Sequence, residues 1–148
     1  AENGYPAMED KAQIRMVDAL INKIKMNLDK IIDYETEYLD DADIVLVAYG
    51  ISVRSARRAI HMGRQQGRKL GLVKLNTVWP VPEEFIRDLS GRVKALIMPE
   101  INMGQMVLEL ERCAGGRCPV RLVGHAGGSI IRPAAILNAV EEVAKEAV

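Results

Sequence analysis

The sequence predicts an α/β fold: a three-layer α/β/α arrangement around a mostly parallel sheet, preceded by a long N-terminal helix. Three features of the chain carry that expectation. Ile44 to Tyr49 is an unbroken apolar run without alternation. A strand with one wet face would alternate, so this one is covered on both sides, as in a parallel sheet. Gly50 then ends the run where the chain must turn. An amphipathic helix follows, with Val53, Ala56, Ile60 and Gly63 on one side and Arg57, His61, Arg64 and Arg68 on the other; Gly67 marks its stop. Downstream, the chain repeats this strand–turn–helix unit, the alternation that builds a layered α/β domain.

The first 42 residues read as a linker and an amphipathic helix. The opening Ala-Glu-Asn-Gly-Tyr-Pro is a loop-like entry suited to a junction between domains. Glu9 to Ile32 reads as one helix whose apolar residues Ile14, Val17, Ile21, Ile24, Leu28 and Ile31 form a heptad seam widened by Leu20. Such a stripe needs a partner, because an isolated helix is marginal in water. It serves as an arm packed on another domain or as a self-association surface, which makes a homodimer worth testing. Asp29 to Asp43 carries seven acids against Lys30 alone, whereas Ile44 to Pro82 carries seven bases and no acid. Opposite blocks of this kind pair within a chain, face an acidic partner, or stay solvated.

Residues 43–148 form the α/β domain. Its further strands are expected at Leu70–Leu75, Val93–Met98 and Val120–Val123. Pro82 with Glu83 and Glu84 opens a short helix ending at Gly91. Asn102 is a candidate cap for the next helix, whose buried stripe is read as Met103, Val107, Leu110 and Ala114, stopped by Gly115-Gly116. Pro133 opens the last helix, with Ile136, Val140, Val143 and Ala147 on one side.

Composition narrows the function classes. Twenty basic and twenty acidic residues cancel, which argues against nucleic-acid binding across the domain. No apolar run approaches the roughly 20 residues of a membrane span, and the start has no leader pattern. No nucleic-acid or membrane partner is expected, and the expected compartment is cytoplasmic. Cys113 and Cys118 flank Ala-Gly-Gly-Arg without a Cys-x-x-Cys, a second pair or a histidine at ligand spacing. They read as isolated thiols rather than metal ligands, with a small disulfide loop as the alternative.

In open parallel sheets, ligands and partners meet the loops after the strands' C-terminal ends. The first such loop lacks the glycine patterns for dinucleotide or P-loop phosphate binding. Ser52 and Ser55 with Arg54 could hold an anion at a helix start or simply cap it. His125 stands among glycines, a plausible acid–base position, although no nucleophile accompanies it in sequence. Trp79 reads as a contact anchor or as core filling.

Four segments occur in fixed order: Val47-Ala48-Tyr49-Gly50, Gly71-Leu72-Val73-Lys74-Leu75, Trp79-Pro80-Val81-Pro82-Glu83-Glu84 and Glu100-Ile101-Asn102-Met103-Gly104-Gln105. Together they resemble the C-terminal domain of the α subunit of 2-oxoacid:ferredoxin oxidoreductases, of the 2-oxoglutarate type, a domain related to the C-terminal domain of transketolase. Pro99 and Val81 depart from the family pattern. The resemblance implies a complex that oxidatively decarboxylates a 2-oxoacid to an acyl-CoA and reduces ferredoxin, using thiamine diphosphate, Mg, iron–sulfur clusters and CoA. The chain has neither the Gly-Asp-Gly of a metal–diphosphate site nor a Cys-x-x-Cys. No catalytic, cofactor or metal residue is therefore assigned to it. Trp79, Asn102, Met103, Gly104, Gln105 and His125 are its candidate interface residues. The implied partners are the preceding domain of the α subunit and a thiamine-diphosphate-binding β subunit. The alternative reading is a self-standing α/β module that binds a small anion at the strand ends.

Overall fold

The computed structural model describes Gly4, Tyr5 and residues 9–146. The rest of the linker expected at the start, and Ala147 of the last stripe, lie outside the described residues. The chain divides into two compact units, Ala1–Ile32 and Asp33–Val148.

The first unit holds α1 (Asp10–Lys25) and the short α2 (Leu28–Ile31), where a single helix was expected. The break falls at Met26 and Asn27. Asn27 leaves the helical region (φ −130°, ψ 22°), and its side-chain amide donates to the Lys23 carbonyl at 2.9 Å. An asparagine amide competes with the helix for backbone partners in this way. The seam is thereby split, with Ile14, Val17, Ile21 and Ile24 on α1 and Leu28 and Ile31 on α2. None of the residues of α1 is buried.

The second unit runs β1 (Tyr34–Glu37), β2 (Ile44–Tyr49), α3 (Ser52–Gln65), β3 (Leu70–Leu75), α4 (Glu83–Ser90), β4 (Ala95–Glu100), α5 (Met106–Ala114), β5 (Val120–Gly124) and α6 (Pro133–Glu146). The five strands lie in the order β1-β3-β2-β4-β5. β2, β3, β4 and β5 are parallel, and β1 is antiparallel to β3. This is the expected α/β/α architecture. α3 and α6 cover one face over Ile44, Leu46, Ala48, Leu72, Ala95 and Ile97. α4 and α5 cover the other over Val45, Val47, Val73, Leu96 and Met98.

β1 lies inside the acidic stretch and had no apolar run to announce it. The compact unit that holds the sheet thus begins at Asp33, with β1 inside it. Tyr34 anchors β1 on the Phe85 ring, with centroids 4.5 Å apart. The acids of this segment meet the bases that follow: Glu35 pairs with Lys74 at 2.8 Å, Glu37 with Arg57 at 2.6 Å, and Asp41 with Arg64 at 2.8 Å. The opposite charge blocks thus pair within the chain, and they place charge on an edge strand that would otherwise invite pairing.

α3 stops as expected. Gly67 donates to the Arg64 carbonyl and Arg68 to the Gly63 carbonyl, both at 3.0 Å, the paired bonds of a Schellman ending. β4 differs from expectation: it spans Ala95–Glu100 rather than Val93–Met98. Pro99, which follows the expected strand, pairs in register with Val123 of β5. The ladder with β2 has already ended at Leu46 and Ile97, so a missing N–H there breaks no pairing on that side.

Candidate functional site

Strand alternation decides what gathers at the C-terminal end of the sheet. On β2 the odd positions Val45 and Val47 face α4 and α5, so Tyr49 does too. On β4 the even positions Leu96 and Met98 share that face, so Glu100 points toward the start of α5. β2 and β4 diverge in connectivity here: the chain leaves β2 toward β3 on one side, while β4 lies on the other. This is the topological switch point of a doubly wound sheet, where such folds open a crevice.

Glu100 fills that crevice. It is only 1 % exposed. Its Oε2 accepts hydrogen bonds from the Tyr49 phenol at 3.0 Å, the Asn102 side-chain amide at 2.9 Å and the Met106 backbone N–H at 3.0 Å. Its Oε1 accepts from the Val107 N–H at 2.8 Å. Buried carboxylates are tolerated when their oxygens are satisfied in this way, and the positive end of α5 adds a favourable dipole. Burial pushes the Tyr49 phenol above its ordinary pKa, and the Glu100 carboxylate beside it acts in the same direction.

Asn102 was the expected cap of the next helix. That helix begins later, at Met106 with Gln105 at its N-cap position. Asn102 instead folds the approach: its Oδ1 accepts from the N–H groups of Gly104 at 2.7 Å and Gln105 at 3.2 Å. Glu100, reaching across from the strand, takes the first two helical N–H groups. Met103, expected in the buried stripe, lies before the helix and is 79 % exposed. Two glycines let the loop close against β5. A Cβ on Gly124 would sit 2.8 Å from the Asn102 carbonyl oxygen. Gly104 has φ +97°, and a Cβ there would meet Leu122 at 2.9 Å.

The other candidates stand in separate loops. Trp79 is 63 % exposed, which excludes core filling, while Pro80, Val81 and Pro82 behind it are buried. The Trp79–Pro80 peptide is cis. His125 is half-buried and accepts from the Gly127 N–H at 3.2 Å through Nδ1. Ser52 and Ser55 are buried while Arg54 is exposed, so the three do not converge on an anion, and α3 has no side-chain cap. Cys113 and Cys118 are free and buried, and burial raises both thiol pKa values. Sequence reading missed Glu100 and Tyr49 as a pair. A lone acid closing a buried apolar strand, with Asn two residues on, is the trace they leave in the sequence. Their adjacency across β2 and β4 leaves none.

Residues 42–136 match the family model of pyruvate:ferredoxin oxidoreductase core domain II. The chain belongs to this family. Among domain II relatives, the 2-oxoglutarate synthase subunit KorA of Methanothermobacter marburgensis is 41 % identical over 138 residues, 93 % of this chain and 37 % of that protein. The ketoisovalerate oxidoreductase subunit VorB of the same organism is 41 % identical over 113 residues, 76 % of this chain and 32 % of that protein. These relatives are named as subunits, and the chain spans well under half of their length. The domain also superposes on 2-oxoglutarate:ferredoxin oxidoreductase from Magnetococcus marinus, solved with 2-oxoglutarate, coenzyme A and succinyl-CoA bound. The TM-score is 0.76 at 24 % identity, covering 97 % of this chain and 25 % of that one. A split-gene transketolase shares the fold at TM-score 0.64 and 19 % identity, over 74 % of this chain and 41 % of that one.

Proposed function

We propose that this chain is a structural and interface domain of the α subunit of a 2-oxoacid:ferredoxin oxidoreductase of the 2-oxoglutarate type, without chemistry of its own. The use made of Glu100 carries this reading. In the crevice where doubly wound sheets place their ligand chemistry, the buried carboxylate is satisfied by Tyr49, Asn102 and the start of α5. The arrangement holds a loop in place rather than facing a substrate. The 2-oxoglutarate assignment is supported by the reach of the match, 93 % of the chain for the 2-oxoglutarate synthase subunit against 76 % for the ketoisovalerate subunit.

The parent reaction would oxidise and decarboxylate a 2-oxoacid to an acyl-CoA and reduce ferredoxin, with thiamine diphosphate, magnesium and iron–sulfur clusters. The donor set of the described residues does not fit magnesium or an iron–sulfur cluster. Among the described residues, no cluster of three or more His, Cys, Asp or Glu could hold a metal ion, and the two cysteines are buried thiols. We assign the cofactors to the remainder of the α subunit and to a β subunit, the expected partners. The apolar seam of α1 adds self-association as a contact to test by light scattering. No described helix is long and apolar enough to cross a membrane, and free cysteines suit a reducing compartment such as the cytoplasm.

Reconstitution tests the assignment. A full-length α subunit co-expressed with its β subunit should turn over 2-oxoglutarate with CoA and a dye acceptor, while residues 1–148 alone should not. Turnover by this chain alone would overturn the reading, as would tight calorimetric binding of CoA or a 2-oxoacid to it.

A further inference from the structure

We infer that the end of the sheet where the parallel strands terminate is the docking face for the remainder of the same α-subunit polypeptide. This rests on the chain being one domain of a longer subunit. Each of the four connections leaving a parallel strand exposes one large apolar side chain: Ile51 after β2 (45 %), Trp79 after β3 (63 %), Met103 after β4 (79 %) and Ile130 after β5 (58 %). Single apolar residues scattered over a surface are ordinary. One from every loop at one end of the sheet is a pattern. Ile51 and Ile130 lie in the connections to α3 and α6, Trp79 and Met103 in those to α4 and α5, so the four straddle the sheet. Leu122 of β5, bordering Gly104 in the third of these loops, is also exposed.

Two of the four are held outward by fixed backbone. Met103 sits between Asn102 and Gly104, both tied into the Glu100 network. Trp79 precedes the buried Pro80, Val81 and Pro82. Side chains presented from a rigid support lose less entropy on docking, and tryptophan is prominent among residues that dominate interfaces. The flank formed by β1 and the outer side of α3 is different in kind, being covered by the Glu35, Glu37 and Asp41 pairs with Lys74, Arg57 and Arg64.

The length of the relatives argues for the occupant. The match takes up 37 % of the KorA polypeptide, so most of that subunit lies outside it. A tethered domain meets its neighbour at high effective concentration and needs only a modest apolar patch to stay docked.

The test uses the full-length α subunit assembled with its β subunit. A photo-crosslinking residue replaces Trp79 in one variant and Met103 in another, with exposed His61 on α3 as the control position. Isotopically light and heavy α subunits are mixed before assembly. Crosslinks from positions 79 and 103 should run to α-subunit peptides outside residues 1–148 carrying the same isotope label, at yields several-fold above position 61. Mixed-label products would place a second copy on the face and overturn the proposal. So would capture chiefly of the β subunit, or yields no higher than the control. Turnover is assayed on the same samples. Loss of activity with same-label crosslinks intact faults the functional reading alone, and an active complex without them faults the docking face alone.

Discussion

Glu100 and Tyr49 stand level on adjacent parallel strands, and the tyrosine hydroxyl donates to the carboxylate at 3.0 Å. The register that pairs Ile44 with Ala95 and Leu46 with Ile97, carried forward, brings them opposite each other. Their hydrogen bond ties β2 to β4 beyond the last ladder pair. Through Met106 and Val107 it also ties both strand ends to α5.

Removing that acceptor should be costly. Glu100→Ala leaves the Tyr49, Asn102, Met106 and Val107 donors without it, and each buried unpaired donor costs about 1–3 kcal/mol. Partial relaxation should bring the net loss of unfolding free energy to about 3 kcal/mol, read from urea denaturation. Tyr49→Phe should cost about 1 kcal/mol in the native background and almost nothing on top of Glu100→Ala, because the two act as one unit. Additive losses would show that the pair is not coupled.

The loop's closure on β5 should depend on its glycines. Gly124→Ala drives a methyl toward the Asn102 carbonyl, and Gly104→Ala combines a left-handed φ with a clash on Leu122. Each should lose about 1–3 kcal/mol. Gly50 also has positive φ, but open space surrounds its Cβ position, so Gly50→Ala should cost about 1 kcal/mol, the conformational part alone. Equal losses at all three positions would mean that close packing of the loop contributes nothing.

Alkaline stability should report Tyr49. Burial, reinforced by Glu100, raises its folded-state pKa above the unfolded value, which is about 10. A raised pKa contributes stability that is complete below the unfolded value and is lost as pH rises through the folded one. Urea midpoints should therefore fall more steeply above about pH 10 in the native chain than in Tyr49→Phe. Parallel curves would remove the phenol from the account.

The cysteines should be inert in the folded chain. Burial raises both thiol pKa values, and the thiolate is the reactive form. At neutral pH, Cys113 and Cys118 should react slowly with a disulfide reagent and rapidly once the chain is unfolded. Fast titration of the native protein would contradict the buried, unreactive state of the pair.

The helix stops, the turn glycines and the covered strands β2 and β3 were legible because each is a local statement. Apolar runs, helical spacing and glycine positions act within a few residues of themselves. β1 was not legible, because its four residues owe their strand to pairing with Leu72–Leu75 rather than to their own pattern. The shifted β4 was obscured by Pro99, whose tolerance depends on which neighbour still needs its N–H. Met103 was misread as core because a helix was begun too early at Asn102.

By itself the sequence determined the α/β class, the order of most elements and the loops in which contact residues lie, since periodicity and turn chemistry are encoded locally. Only the tertiary structure decided that Glu100, at the far end of one strand, serves Tyr49 on another and caps α5. It alone also gathered Ile51, Trp79, Met103 and Ile130 at one end of the sheet. Strand order and register set those neighbours, and both come from long-range packing that no short stretch of chain records.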